Sequence, residues 1–300
     1  MRRVVVALGN FDGVHVGHRA VMSRAVEEAR SREARSVAAI FDPHPRAVLR
    51  PGEEPKLLTT PEVREGLLLG CGVDEVRKIR FDRDLSRKSP GEFVLDVLVG
   101  ELDAGVVVVG ENFRFGHKAA GDFDDLRRHM CETGGEAFAV PILALGEDVS
   151  SSRIRALISD GALCEAAKLL GRPYSLRGEV VLGDRRGHTI GFPTANLLPD
   201  PRVLVPALGV YAGYVMGGIE RYPACTNVGV APTFDRRERK VEAHLLDYDG
   251  DLYGKTVDVS FVERLRPEKR FSGIEELKAQ ISHDVEEARR LLVRAERRGS

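Results

Sequence analysis

Residues 9–18 read GNFDGVHVGH, with His15 and His18 on either side of Gly17 and just beyond the apolar run VVVAL. Three readings compete for such a segment. Two imidazoles at this spacing can share a metal ion, but a zinc site also takes thiolates or carboxylates. Asp12 is the one acid close by, and H-E-x-x-H is absent. A glycine-rich strand-to-helix turn with incidental histidines is the plain alternative. The third reading is phosphate handling. A helix opening at the carboxyl edge of a parallel sheet presents unpaired N–H groups and the positive end of its dipole. Gly9, Gly13 and Gly17 would let the backbone approach a polyphosphate. His15 and His18 would donate hydrogen bonds to oxygens whose charge grows in the transition state. No general base is needed there if the attacking group is already an anion.

Such a site needs a parallel sheet, and the first half of the chain reads as one. VVVAL (4–8) is a buried strand, and residues 18–33 carry Val21, Ala25 and Ala29 at four-residue spacing, with Met22 and Val26 beside them, which predicts a helix. SVAAIF (36–41) is a second strand. SPGE (89–92) has the order of a capping box, with Pro90 at the first helical position, and opens a helix to about Leu98. GVVVVG (105–110) is a continuous apolar strand of the kind covered on both faces. DFDDLRRHMCETGG is a helix ending at Gly134 and Gly135, EAFAV a strand, and two short helices follow in SSRIRALISDG and GALCEAAKLLG. Strand and helix in turn predict a doubly wound, Rossmann-like α/β domain.

After Gly171 the pattern changes. GEVVLG, VYAGYVMGG, YPACTNVG, VEAHLLDY and TVDVSFVERL are strand-like runs broken by glycine, proline and aspartate, which predicts a small antiparallel barrel or sandwich. A helix from about Ile274 to Arg294 closes the chain. The expected domains are 1–170 and 171–300.

The 300 residues, 43% apolar and 30% charged, suit two soluble domains. A net charge of −1 without a basic run argues against a sequence-independent grip on nucleic acid. Four scattered cysteines without a C-x-x-C pair fit a reducing cytoplasm rather than a disulfide framework. No apolar run reaches the length of a signal-peptide core or a membrane span. Nothing in the sequence fixes an oligomeric state.

GNFDGVHVGH resembles the H-x-G-H signature of nucleotidylyltransferases. With FDPHP (41–45), VVGENFRFGHKAAGD (108–122), SSSRIR (150–155), GRPYSLRGEVVLGD (171–184), GFPTAN (191–196), GVYAGYV (209–215) and VEAHLLDYDGDLYGK (241–255), the chain resembles bacterial bifunctional riboflavin kinase/FAD synthetases almost end to end. H-x-G-H alone is a weak signal; its combination with GFPTAN in this order and spacing is highly specific. The resemblance implies two reactions: phosphorylation of riboflavin by ATP to FMN, and adenylylation of FMN by ATP to FAD with release of pyrophosphate. The implied partners are ATP, riboflavin and FMN.

FMN phosphate is largely dianionic near neutral pH, so positioning and charge neutralisation should carry adenylyl transfer. The resemblance places Gly9, Asn10, Phe11, Gly13, His15 and His18 on ATP, with Ser151, Ser152, Arg153 and Arg155 as further phosphate contacts. Arg153 and Arg155 are two apart and cannot share one helical face; Arg153 is expected in the turn and Arg155 on the helix proper. A solvated face is the alternative for Arg155. Asn112, after the strand GVVVVG, and Phe113 are assigned to the flavin, with core packing expected of Phe113 or Phe115. His44 either touches ATP or sits in a rigid proline turn.

Riboflavin offers a neutral alcohol, so its phosphorylation gains from a general base. The resemblance points to Glu242, on a strand whose alternation puts Glu242, His244 and Leu246 on one face; an exposed strand glutamate is the alternative. GFPTAN reads as a loop in which Thr194 and Asn196 bind Mg²⁺ and phosphate oxygens, since oxygen ligands suit magnesium. The polar stretch 183–191, with Gly183 and Gly187, would close over ATP. His188 stands where relatives carry arginine or another residue, and Tyr248 replaces the phenylalanine of LLDF. DGDLYGKT (249–256) imitates a P-loop, but Asp249 fills the first glycine slot and the following VDVSFV is strand-like. A kinase without transferase activity and a non-catalytic flavin-binding carrier are the alternative functions.

Overall fold

The computed structural model describes residues 4–146, 148–183, 192–232 and 237–299. The chain forms two compact units, Met1–Ser151 and Ser152–Ser300.

In the first unit five parallel strands lie in the order β3-β2-β1-β4-β5: β1 (Val4–Leu8), β2 (Arg35–Asp42), β3 (Glu75–Arg80), β4 (Ala104–Gly110) and β5 (Glu136–Val140). The chain winds outward from β1 to β3 and then returns to β4 beside β1. The carboxyl ends of β1 and β4 therefore flank a topological switch point, where sheets of this kind bind ligands. Alternation along β1 divides the core. Val5 and Ala7 pack with Val21, Met22, Ala25 and Val26 of helix α1 (Val16–Ser31) and with Leu68. Val4, Val6 and Leu8 face the other layer, with Phe93, Val94, Leu98, Leu126 and Met130. Each valine, leucine, methionine or phenylalanine among them, taken fully out of water, contributes about 1.5–3 kcal/mol.

Helix α2 (Pro45–Leu49) is a short turn, and α3 (Pro61–Leu69) starts on the Thr60 cap, whose hydroxyl accepts from the Val63 N–H. The expected capping box forms: Ser89 and Glu92 cap each other's backbone at α4 (Pro90–Glu92), which continues as a π-helix over Phe93–Glu101, past the predicted end at Leu98. Helix α5 (Phe123–Glu132) has a second box, from Asp122 and Asp125.

Helix α6 (Ser151–Asp160) leads into the second unit, followed by α7 (Leu163–Leu170). Both helices belong to the compact unit of the barrel: α7 packs on β6 and β11, and the Ala207 N–H donates to the Ile158 carbonyl. Six antiparallel strands close a barrel in the order β10-β7-β6-β11-β8-β9. They are β6 (Tyr174–Val181), β7 (Ala195–Pro199), β8 (Gly209–Gly217), β9 (Glu220–Pro232), β10 (Arg237–Leu245) and β11 (Thr256–Arg266). The closing helix α8 (Ile274–Gly299) covers Val210, Ala212, Tyr214 and Cys225 with Ala288 and Leu292. An ion pair of the half-buried Arg266 with the buried Asp284, at 2.8 Å, joins helix to barrel. Burial raises the Cys225 thiol to about 12, so it stays protonated and behaves as a small apolar residue. Gly254 (φ 72°) turns the chain into β11, and no helix follows DGDLYGKT, as expected for a hairpin rather than a P-loop.

Candidate functional sites

The turn after β1 holds an unusual backbone. Gly13 has φ 82°, and two residues with side chains, Phe11 (φ 49°) and the β-branched Val14 (φ 42°), share the left-handed region. Such conformations cost roughly 1–3 kcal/mol each and persist where surrounding contacts impose them. Those contacts converge on Asp12, which is 3% exposed. Its carboxylate accepts from the Leu58 N–H at 3.0 Å and from the Thr59 N–H at 3.3 Å. The Ser151 hydroxyl donates to the Asp12 carbonyl at 2.9 Å, so the SSSRIR segment meets the turn through its second serine. Arg64 of α3 donates to the Asn10 carbonyl at 3.1 Å.

The three glycines have different roles. Only Gly13 uses the left-handed region. A Cβ on Gly9 would strike the Phe11 ring, and one on Gly17 would press on the His15 ring. Gly9 and Gly17 thus make room for rings rather than for a free loop.

His15 is the N-cap of α1: its Nδ1 accepts from the His18 N–H at 3.3 Å. An accepting Nδ1 leaves the proton of a neutral ring on Nε2, a donor pointing away from the cap. The His15 and His18 rings stack with centroids 3.5 Å apart and planes 20° apart. Stacked rings send their in-plane lone pairs along near-parallel lines, so they do not converge on one metal. Among the described residues, no group of three or more His, Cys, Asp or Glu gathers as a metal-ligating set. Phe11, 2% exposed, meets His18 edge-on at 5.2 Å. Burial, and then His15 beside it, hold the His18 pKa well below 6.5, so His18 is neutral near pH 7.

That depressed pKa predicts a pH dependence. The unfolded chain takes up a proton at His18 near pH 6.5, before the folded chain does. Stability is therefore fully present above pH 6.5 and is lost as pH falls toward the folded pKa, by up to about 1.4 kcal/mol per pH unit. Denaturant unfolding followed from pH 7.5 to 5 should show this slope, and His18→Asn should flatten it.

Of the other assigned residues, Asn112 follows β4 and His44 follows β2 in the first unit, while Ser152, Arg153 and Arg155 fall in the second. Asn112 is exposed in the turn after β4. Phe113 stacks on Phe115 at 5.7 Å, and Phe115 (5% exposed) packs on Phe93, so Phe115 is the core member of the pair. His44 caps α2, its Nδ1 accepting from the Arg46 N–H at 3.2 Å. Ser152 and Arg153 are exposed in the first turn of α6, with Arg155 after them. Arg153, expected in the preceding turn, is the third residue of the helix, because the helix begins at Ser151. Sequence reasoning missed Asp12 as an anchor, Thr59 and Arg64. The Thr60–Pro61 start of α3 was the available signal.

In the second unit, β10 and β7 pair Glu242 directly with Asn196. GFPTAN is therefore not wholly a loop: Ala195 and Asn196 begin β7. Opposed residues of a ladder project to the same face. Val241, Ala243 and Leu245 point inward and are buried, leaving Glu242 and His244 on the outer face. Leu246, expected with Glu242, lies beyond the strand and is buried. Lys240 pairs with Glu242 at 3.0 Å, and the His244 Nδ1 lies 2.7 Å from the Pro193 carbonyl. A cleft of about 630 Å³ is lined by Gly183, Thr194, Asn196, Tyr248, Leu252 and Tyr253 among others. Glu242 stands on the strand beside it. Asn196 is 7% exposed, and its Oδ1 has no hydrogen-bond partner among the described residues. A Cβ on Gly183 would overlap the Asn196 amide, which is why glycine stands there. Gly187 and His188 lie outside the described residues.

Comparison with known proteins agrees with both halves. The FAD synthetase family matches residues 1–153 and the riboflavin kinase family residues 170–292. The bifunctional riboflavin kinase/FMN adenylyltransferase of Escherichia coli K12 is 39% identical over 287 residues, covering 95% of this chain and 91% of that protein. Its Bacillus subtilis counterpart is 34% identical over 288 residues, with the same coverage. A Streptococcus pneumoniae crystal structure described as a macrolide-efflux protein superposes with a TM-score of 0.88 at 35% identity, covering 95% of this chain and 93% of that one. Among the described residues of the present chain, no helix is long and apolar enough to cross a membrane. With matches of this extent across both units, the chain belongs to the bifunctional riboflavin kinase/FMN adenylyltransferase family, whose members convert riboflavin to FMN and FMN to FAD.

Proposed function

We propose that the two reactions are divided along the chain, adenylyl transfer in residues 1–170 and riboflavin phosphorylation in 171–300. The family matches end at 153 and begin at 170, so most of α6 and α7 lies between them in sequence.

In adenylyl transfer the FMN phosphate attacks the α-phosphorus of ATP, and pyrophosphate leaves. The turn of Gly9, Asn10, Phe11 and Gly13 offers backbone groups to the triphosphate at the start of α1. His15, its proton fixed on Nε2 by the cap, donates to a phosphate oxygen. His18, neutral and wedged between two rings, serves as a hydrogen-bonding group rather than as a cation. Ser151 adds a hydroxyl beside the turn, and Asn112 and Phe113 hold the flavin; Ser152, Arg153 and Arg155 are assigned to ATP by the resemblance alone. The single observation carrying this reading is the His15 cap, which turns a phosphate-binding helix terminus and an oriented donor into one structure.

In the kinase, Glu242 accepts the proton of the riboflavin alcohol as that oxygen attacks the γ-phosphorus of ATP. Gly183 lies along the ATP phosphates. The donor set fits magnesium: the Asn196 Oδ1 is buried and unsatisfied, and Thr194 supplies a second hard oxygen beside it. Magnesium bound there would neutralise phosphate charge. None of the four cysteines forms a disulfide among the described residues, which supports a cytoplasmic setting.

Gly183→Ala tests the kinase assignment. Its methyl group displaces the Asn196 amide, so FMN formation should fall at least about tenfold and demand more Mg²⁺, in line with the cost of losing a positioned ligand. FAD formation from supplied FMN should be unchanged. Flavin chromatography over a Mg²⁺ series reads both, and an unaltered Mg²⁺ requirement would remove Asn196 from the metal site.

A further inference from the structure

The left-handed turn before His15 needs anchors, and one of them is a buried cation. Arg64 is 5% exposed. Its Nη1 bonds the Asn10 carbonyl at 3.1 Å, its Nε is buried without a partner, and no carboxylate among the described residues lies within ion-pair distance of it. Burial pulls its pKa down, while Asp12, Asp42 and Glu62 at longer range pull it back. An arginine starts so high that the guanidinium stays charged. Burying a charge is costly, and packing alone would be served better by an aliphatic residue at this position of α3. The Asp12 carboxylate supplies the largest compensating charge, but it is held by the N–H groups of Leu58 and Thr59 and does not come within ion-pair distance of Arg64. What the guanidinium does hold is a carbonyl, that of Asn10, immediately before the left-handed Phe11.

We propose that Arg64 is a positioning residue for adenylyl transfer, fixing the Asn10 carbonyl by a charge-assisted hydrogen bond so that the 10–15 turn delivers His15 to the phosphates. The bond turns the Asn10 peptide away from the ligand side and commits the next residues to the left-handed path. Asp12 and Thr59 hold the middle of the same turn, and Ser151 holds the Asp12 carbonyl. Arg64 thereby extends the machinery to a helix that sequence reasoning left unread. The inference rests on the assignment of adenylyl transfer to the first unit.

The test uses the full-length enzyme with Arg64→Lys and Arg64→Met, supplied with FMN and ATP. Met keeps the apolar stem and removes the donor; Lys keeps a charged donor on a similar stem. Met should lower kcat for FAD formation about 10- to 100-fold, the range expected for one hydrogen bond to a charged group. The KM for ATP should move less than about threefold, and Lys should restore a substantial part of kcat. FMN formation from riboflavin should be unchanged in both. Denaturant unfolding checks that each variant is folded at assay temperature. Three results would overturn the proposal: a folded Met variant with unaltered kcat, Lys and Met equally impaired, or a loss confined to the KM for ATP. His15→Ala, run alongside, separates the two levels. If it too leaves FAD formation intact, the assignment of the first unit fails; if it abolishes FAD formation while Arg64→Met does not, only the role of Arg64 fails.

Discussion

His15→Ala is expected to turn the protein into one that makes FMN from riboflavin and accumulates it. The substitution removes the Nε2 donor from the phosphate site, and losing one oriented donor to a developing charge costs about 10²–10³ in rate. It also removes the cap of α1, worth about 1 kcal/mol. The two effects can be separated. His15→Asn keeps a side-chain acceptor for the His18 N–H while lacking the imidazole donor, so it should regain most of the stability and little of the rate. Chromatography of flavins formed from FMN and ATP, with unfolding measured in parallel, checks both statements. If Asn restored rate and stability together, the cap rather than the donor would be what the reaction uses.

Glu242→Gln should have the opposite phenotype. It removes the proposed base and keeps the shape, and a positioned base contributes about 10²–10⁴. Little stability should be lost, because the pair of Lys240 with Glu242 is partly exposed and such pairs give about 1 kcal/mol or less. FMN formation from riboflavin should nearly cease while supplied FMN is still adenylylated. The assay is the same chromatography with riboflavin and FMN as alternative substrates. Normal FMN formation by the variant would leave Glu242 as the ordinary strand glutamate that its surroundings alone suggest.

The parts of the fold that were legible are those whose residues are buried on both faces or marked by local signals. β1, β4 and the stripe of α1 announce themselves by composition and period, and Ser89 with Glu92 announces a helix start. β3 was missed because EVRKIR is an edge strand with Ile79 as its one buried residue. Its charges protect the edge and erase the apolar alternation. β7 was missed because it is five residues long, with Leu198 exposed and proline at its end. The nine-residue π-helix has no local signature at all. For the candidate sites, motif and resemblance nominate His15, His18, Asn196 and Glu242. The clamp on the turn was not, since Asp12 and Leu58 are 46 residues apart in sequence and Asn10 and Arg64 are 54 apart. Such buried polar contacts are set by tertiary packing, and no periodicity reports them. The pairing of Asn196 with Glu242 depended likewise on β7, the strand that went unread.

The most direct test of the division of labour is to mix the two defective enzymes. Full-length His15→Ala and Glu242→Gln, each folded, are incubated separately and then together with riboflavin, ATP and Mg²⁺, and the flavins are chromatographed. The account predicts FMN alone from the first, unchanged riboflavin from the second, and FAD from the mixture, because FMN made by one barrel is adenylylated by the intact α/β unit of the other variant. A mixture that yields no FAD, although each variant performs its own remaining reaction in isolation, would contradict it. So would a single variant that loses both reactions.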